Sequence, residues 1–505
     1  MSKISELKGL LKDTVIYGLS SILGRFLNFL LVPFYTRVLI EGEYGIVTNL
    51  YAYTALLLAM LTFGMETTYF RFFNNKEIKN PMQVYANSLI FIILLSLLFA
   101  TSTLFFLHPI SELLGYASHP DFVAMVIVMV ALDAITSLPF ARLRCEDKAW
   151  KFAGIKLSNI GLNILLNIFF LLICPIIYRH YPDSISWFYR PDYGVGYIFV
   201  SNVITSLYNV VMLRKEFRGF KYRIDTALMH RMMTYAFPIL CISIAGILNQ
   251  SVDKMLFPFL FANTNEAMTQ LGIYGACFKI AVVMVMFIQA YRYAIEPFIF
   301  KRSERSDVAE TNAMTTHYFL IFSLFIFLMV SFYLDDIFKI LVAESYHEGL
   351  KVVPIVMVGE LLFGLYFNLA FWFKLNDQTY WGTLFTVIGC IITIAIICIF
   401  VPTHGYMACA WATVACNGTM LLLSYIIGQR RYPIPYPIRK MTFYTLFTAL
   451  LFVGGMYMLN DTPALRLLWR TALLIAFAAM AIRVEGLMPV IKSLKTNFKI
   501  KKTKK

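Results

Sequence analysis

Four basic residues stand inside long apolar runs of this chain: Arg25, Lys254, Lys279 and Arg292. A charge among apolar residues is costly, so each must face a partner, a cavity or a ligand. Each also has polar company at helical spacing. Gly18, Ser21, Arg25 and Asn28 recur every three or four residues and share one helical face. Ser243, Gly246, Asn249, Gln250, Asp253 and Lys254 form a comparable face beyond Pro238, a kink signal. Gln289, Arg292 and Glu296 follow Lys279 at i, i+3 and i+7, and Asn159, Asn163, Asn167, Asn202 and Asn209 add further amides. Guanidinium and ammonium groups hold phosphoryl oxygens, Arg bidentately, while Asn and Gln meet hydroxyl groups. The predicted binding set is therefore Arg25, Asn28, Asn249, Gln250, Lys254, Lys279 and Arg292, suited to an anionic, hydroxyl-rich ligand. The same residues also serve a plainer role, interhelical hydrogen bonds and internal salt bridges. In that reading Asp253 neutralises Lys254.

The buried carboxylates Asp133, Asp253, Glu296 and Glu360 are candidates for coupling transport to an ion, because a carboxyl group in apolar surroundings can hold a proton near neutral pH. Glu66 and Glu296 fall near the inner ends of their runs and suit gating or snorkelling as well. Nothing suggests bond-making chemistry. His108, His119, His180, His347 and His404 are scattered without an H-E-x-x-H spacing, and no P-loop occurs. The eight cysteines form no C-x-x-C pair, and all but Cys145 sit in apolar runs, where they read as small core residues. No catalytic residue, metal or cofactor is expected.

The elements that must position these residues are membrane spans. Of 505 residues 59% are hydrophobic and 14% charged, against roughly a quarter charged in soluble proteins. The apolar residues arrive in runs near the ~20 residues a helix needs to cross a bilayer. The predicted spans are 13–38, 44–70, 83–107, 121–141, 152–178, 194–213, 232–257, 271–298, 315–342, 351–373, 380–401, 405–428, 440–459 and 464–489. Ile4, Leu7, Leu10 and Leu11 suggest an interfacial helix leading into the first span. That span is too long for a signal-peptide core and lacks an A-x-A site. With the N-terminus in the cytoplasm, 33 Lys and Arg fall inside, seven outside and four within spans. This asymmetry fits about fourteen spans with both termini cytoplasmic. It also accounts for the net charge of +15 without a nucleic-acid partner.

A duplication is visible at an offset of 230 residues. Glu43-Tyr44-Gly45-Ile46 returns as Ile273-Tyr274-Gly275-Ala276, and Glu66 as Glu296. Arg25 precedes Tyr44 much as Lys254 precedes Tyr274. Six-helix spacing preserves orientation, so the repeat is parallel, about an axis along the membrane normal. The expected architecture is all-α: two pseudo-twofold six-helix lobes, 1–213 and 214–428. Two further helices and a basic cytoplasmic tail occupy 429–505.

The opening Asp13-Thr14-Val15-Ile16-Tyr17-Gly18, with Leu31-Val32-Pro33-Phe34-Tyr35-Thr36-Arg37-Val38-Leu39 and Glu43-Tyr44-Gly45, resembles the polysaccharide flippases. These belong to the multidrug, oligosaccharidyl-lipid and polysaccharide transporter superfamily. The resemblance implies transfer of an undecaprenyl-diphosphate-linked oligosaccharide from the cytoplasmic to the outer leaflet of a bacterial inner membrane, by alternating access. It implies an anionic lipid-linked glycan and membrane lipids as partners, with a proton or sodium gradient and a polysaccharide polymerase complex as further ones. Fourteen spans, rather than the twelve common in such flippases, are similar to the branch that moves the peptidoglycan precursor. There the last helix pair resembles a tail-binding groove.

Three rival functions remain from the residues. A drug or cation antiporter of the same superfamily favours an acidic, aromatic cavity, whereas the in-span charge here is mostly basic. A membrane glycosyltransferase or polymerase needs a catalytic carboxylate or His, often in a substantial outer loop. The longest outer loop, Arg179 to Tyr193, is short and aromatic. A non-transporting scaffold leaves the costly in-span charges without a purpose.

Overall fold

The computed structural model describes residues 23–486 except 25, 28, 76–77, 79, 221–222, 301–306, 377 and 459–461, and, at 297 and 300, the backbone alone. The expected interfacial helix and the site residues Arg25 and Asn28 lie outside the described residues. Among those described, every regular element is a helix. The main ones are α1 (Val32–Val38), α2 (Glu41–Thr62), α3 (Met65–Phe73), α4 (Pro81–Phe105), α5 (Pro120–Cys145), α6 (Ala149–Ile168), α7 (Gly196–Met212), α8 (Thr226–Leu256), α9 (Thr264–Phe300), α10 (Val308–Phe332), α11 (Val352–Leu369), α12 (Tyr380–His404), α13 (Tyr406–Arg431), α14 (Ile438–Tyr457) and α15 (Pro463–Val484).

Eleven segments among the described residues are long and apolar enough to cross a membrane, and α7 is apolar but shorter. Helix α14 coincides with the thirteenth expected span. Several starts follow from local chemistry. Proline occupies the first turn of α4, α5 and α15, where its missing N–H costs nothing. Asp225 caps α8 by accepting from the Leu228 N–H at 3.0 Å.

The second expected span is broken. Phe63 (φ 51°) and Gly64 (φ 66°) are both left-handed, separating α2 from α3. Gly64 tolerates this conformation; a side chain there would also lie 3.0 Å from the Ala236 carbonyl oxygen of α8. Pro238, inside α8, adjoins this contact. The ninth expected span also differs. Helix α10 begins at Val308 and ends at Phe332, just before Tyr333-Leu334-Asp335-Asp336, whose two carboxylates lie outside the helix.

The chain folds into two compact units. The first comprises residues 1–279, 342–349 and 380–416, the second 280–341, 350–379 and 417–505. In the first, α5 packs against α2, α4, α6 and α7, with Val130, Ala134, Leu138 and Leu143 fully buried. Helix α8 packs on α2 and α12. The start of α2 crosses α9 with backbones in contact: a Cβ added at Gly45 would lie 1.9 Å from the Met268 oxygen, and one at Gly272 1.8 Å from the Glu41 oxygen. The crossing joins the two segments related by the 230-residue offset.

In the second unit α10 is the centre, packing on α11, α14 and α15. Arg470, within the fourteenth expected span, is a buried member of α15, 2% exposed. Its Nη1 donates to the Phe332 carbonyl at 2.8 Å and its Nε to the Gly455 carbonyl at 3.0 Å. Arg466 adds a 2.6 Å bond to Asp336. Beyond the other end of α15, buried Glu485 meets His317 at 3.1 Å and the Tyr444 hydroxyl at 3.2 Å. The last two helices are thus tied to α10 at both ends.

Candidate binding site

Lys254 is the best-defined predicted residue. Its ammonium lies 2.9 Å from Asp253 Oδ2 and 3.0 Å from Oδ1, and 4.3 Å from the centre of the Phe278 ring. The Tyr274 hydroxyl donates to the same carboxylate at 2.9 Å. Asp253 therefore does neutralise Lys254, as the plainer reading anticipated. The turn around it is anchored to α2, where Asn49 Nδ2 donates to the Lys254 carbonyl at 2.7 Å and the Tyr53 hydroxyl to that of Met255 at 3.2 Å. The Tyr116 hydroxyl holds Asn49 Oδ1 at 2.8 Å. Tyr274, Asn49 and Tyr116 were not singled out from sequence. Tyr274 stood in the repeat motif, and Asn49 lay in a run of Tyr44, Tyr51 and Tyr53 whose polar groups were a usable signal.

Lys279, one helix further on, is different. It is exposed, and among the described residues it has no hydrogen bond or ion pair. It lies near enough to Lys254 for the two charges to interact. Around this site the first unit thus presents one carboxylate against two ammonium groups. Gln250 is exposed and contributes its carbonyl to Lys254 at 3.4 Å. Asn249 is engaged between helices, its Oδ1 accepting from Thr393 Oγ1 at 3.3 Å and Cys416 Sγ at 2.8 Å.

The amides of α6 and α7 bond mainly to one another. Asn163 donates to Asn202 at 3.0 Å, Asn202 to the Tyr51 hydroxyl at 2.6 Å, and Asn159 to the Thr205 carbonyl at 2.8 Å. Asp133 of α5 accepts from Ser206 at 2.7 Å and lies within electrostatic reach of Lys156, whose ammonium sits 4.0 Å from the Phe140 ring centre. Lys156, within the fifth expected span, belongs to α6.

In the second unit Arg292 and Lys374 lie 4.3 and 4.5 Å from the centre of the Phe367 ring. Glu296 accepts from Lys374 at 3.1 Å. Glu360 is half-buried on α11. An analogous pair exists in the first unit, where Arg144 donates to Glu66. The partners are 78 residues apart in both pairs, and the 230-residue offset carries one pair onto the other.

These charges stand in a bundle of membrane-length helices whose fold is shared by solved membrane transporters. The lipid II flippase MurJ in an inward closed conformation superposes with a TM-score of 0.71, at 13% identity, over 94% of this chain and 99% of that one. An inward-facing multidrug resistance MATE family transporter of the MOP superfamily gives 0.64, at 12% identity, over 83% and 95%. Residues 10–303 match the polysaccharide biosynthesis protein family, and the chain belongs to it. The Lsg locus putative protein 1 of Haemophilus influenzae is 21% identical over 299 residues. The match covers 57% of this chain and 66%, just under two thirds, of that relative.

Proposed function

We propose that the protein is a flippase that carries an undecaprenyl-diphosphate-linked oligosaccharide from the cytoplasmic to the outer leaflet of a bacterial inner membrane, for surface polysaccharide biosynthesis. The observation that carries this reading is Lys279, a cation within a membrane span that has no hydrogen bond or ion pair among the described residues, in a chain of the polysaccharide biosynthesis family. A diphosphate leaving headgroup water loses strong hydration, and a fixed ammonium offsets part of that loss. The name of the lipid II flippase, whose fold this chain shares, supports a lipid-linked substrate.

Movement would be rocking of lobes 1–213 and 214–428, with 429–505 carried as an added pair and tail. The repeated ion pairs Glu66–Arg144 and Glu296–Lys374 support equivalent roles for the two halves. Both termini are placed in the cytoplasm by the distribution of Lys and Arg. Transfer between leaflets forms and breaks no covalent bond, so no catalytic group is needed. Asp133 is the favoured coupling carboxylate for a proton or sodium gradient, since among the described residues its side chain accepts from a neutral hydroxyl, that of Ser206. A polymerase complex is the natural recipient of the product.

Depleting the protein and measuring lipid-linked intermediates by mass spectrometry, with leaflet sidedness assayed, tests the proposal. A complete lipid-linked oligosaccharide should accumulate on the cytoplasmic leaflet. Unchanged delivery to the outer leaflet would remove the reading.

A further inference from the structure

Helix α3 and the first turns of α8 border a shallow, open pocket of about 400 Å³, lined by Arg71, Phe72, His230, Arg231, Thr234 and Tyr235. All six residues belong to the first unit. The Arg71 guanidinium lies 4.1 Å from the centre of the Tyr235 ring, and Phe72 packs against the same ring with centroids 6.1 Å apart. Such stacking restrains the guanidinium and leaves its N–H edge open to an acceptor.

The electrostatics of this pocket are one-sided. No carboxylate lines it. Among the described residues, neither Arg71 nor Arg231 has a hydrogen bond or ion pair from its side chain. On nearby turns of the same unit Arg142, Arg144, Lys148 and Lys151 each meet a glutamate. Two guanidinium groups with no internal acceptor, on one small pocket, form a standing excess of charged donors. The complement is a group with several acceptor oxygens and more than one negative charge, which is a phosphoryl group rather than a single carboxylate. Both arginines belong to the charge-rich side that the positive-inside pattern places in the cytoplasm.

We infer that this pocket docks phosphoryl groups at the cytoplasmic face, separately from the Lys254–Lys279 site. It rests on the flippase reading only for the choice of a prenyl diphosphate as the lipid; the phosphoryl chemistry rests on the pocket. Docking here would hold a headgroup on the two helices that carry the Phe63-Gly64 break, which precedes α3, and Pro238 inside α8.

The test uses the full chain in phosphatidylcholine nanodiscs and a short prenyl diphosphate bearing a photoreactive diazirine. Cross-links are mapped by mass spectrometry to residues 65–73 and 226–240. Saturable labelling of these segments is expected. Arg71→Gln with Arg231→Gln should lower it tenfold or more, since charge-assisted hydrogen bonds are worth roughly 1.5–3 kcal/mol each. Arg71→Lys with Arg231→Lys should retain part of it, which separates loss of charge from misfolding. Competition assigns the source: protection by prenyl diphosphate but not by inorganic pyrophosphate supports a lipid headgroup, and equal protection by both supports a soluble phosphate ligand. Undiminished labelling in the glutamine double variant, or equal labelling by a prenyl alcohol probe, overturns the inference. A chain that cross-links here yet transfers no lipid keeps the pocket and sinks the flippase reading. One that transfers lipid without this cross-link does the reverse.

Discussion

Lys374 lies 3.1 Å from Glu296, and the same relationship stands 230 residues earlier between Arg144 and Glu66. Each pair is about one-third exposed, so its stabilising contribution is small, roughly 0.2–1 kcal/mol. Recurrence at one offset therefore points to a role in movement rather than in stability. Reversing one charge, Lys374→Glu or Glu296→Lys, should impair transport at near-normal abundance. The double reversal should restore much of it. Wild-type transport by both single variants would make the pair incidental.

The crossing of α2 and α9 gives a steric prediction. Gly272→Ala would set a methyl 1.8 Å from the Glu41 carbonyl oxygen, a backbone atom that cannot swing aside. Overpacking of this kind costs about 1–3 kcal/mol. Gly154→Ala, where nothing lies within 4 Å, should be neutral or gain up to ~1 kcal/mol of helix propensity. Thermal melting in detergent distinguishes the two, and equal melting temperatures would refute the close crossing.

Arg470 should be the most sensitive residue of the C-terminal pair. Arg470→Ala leaves the Phe332 and Gly455 carbonyls without their donor and should cost about 3 kcal/mol. Leu468→Ala, two residues away and 69% exposed, should cost little. Loss of stability in both variants alike, read by melting, would contradict the buried anchor.

Glu146, in the turn after α5, gives the pH prediction. Burial raises its carboxyl pKa, but hydrogen bonds from Lys148 and Arg142, both at 2.6 Å, outweigh that and hold it below the ordinary 4.5. A depressed carboxyl favours the folded state above its unfolded value, and that contribution disappears as pH falls through the folded one. Melting temperature should therefore drop with acidification below about pH 4.5 more steeply in wild type than in Glu146→Gln. Parallel curves would deny this carboxylate its role.

Much of this was legible in the sequence, for physical reasons. Apolar runs of bilayer length can only be helices. The Glu66 and Glu296 match fell at the offset where the ion pairs lie. The adjacency of Asp253 and Lys254 anticipated their pairing. The burial of Arg470 was not legible, because it depends on the carbonyls and carboxylates that the fold brings to it. Phe63-Gly64 was missed because one Gly inside an apolar run does not announce two left-handed residues. That Lys279 has no hydrogen bond or ion pair among the described residues was equally invisible, since it is a property of three-dimensional surroundings. Arg25 and Asn28 remain expectations from the sequence.

The central claim is that Lys279 receives the diphosphate of a lipid-linked oligosaccharide during its passage between leaflets. The most direct test is transfer of a fluorescent undecaprenyl-diphosphate oligosaccharide in proteoliposomes carrying wild type, Lys279→Ala or Lys279→Arg. Losing a charge-assisted contact of roughly 1.5–3 kcal/mol should slow transfer by about ten- to a hundredfold in Lys279→Ala. Lys279→Arg should keep most of the rate, and reconstitution should be equal in all three. Wild-type transfer by Lys279→Ala would contradict the account.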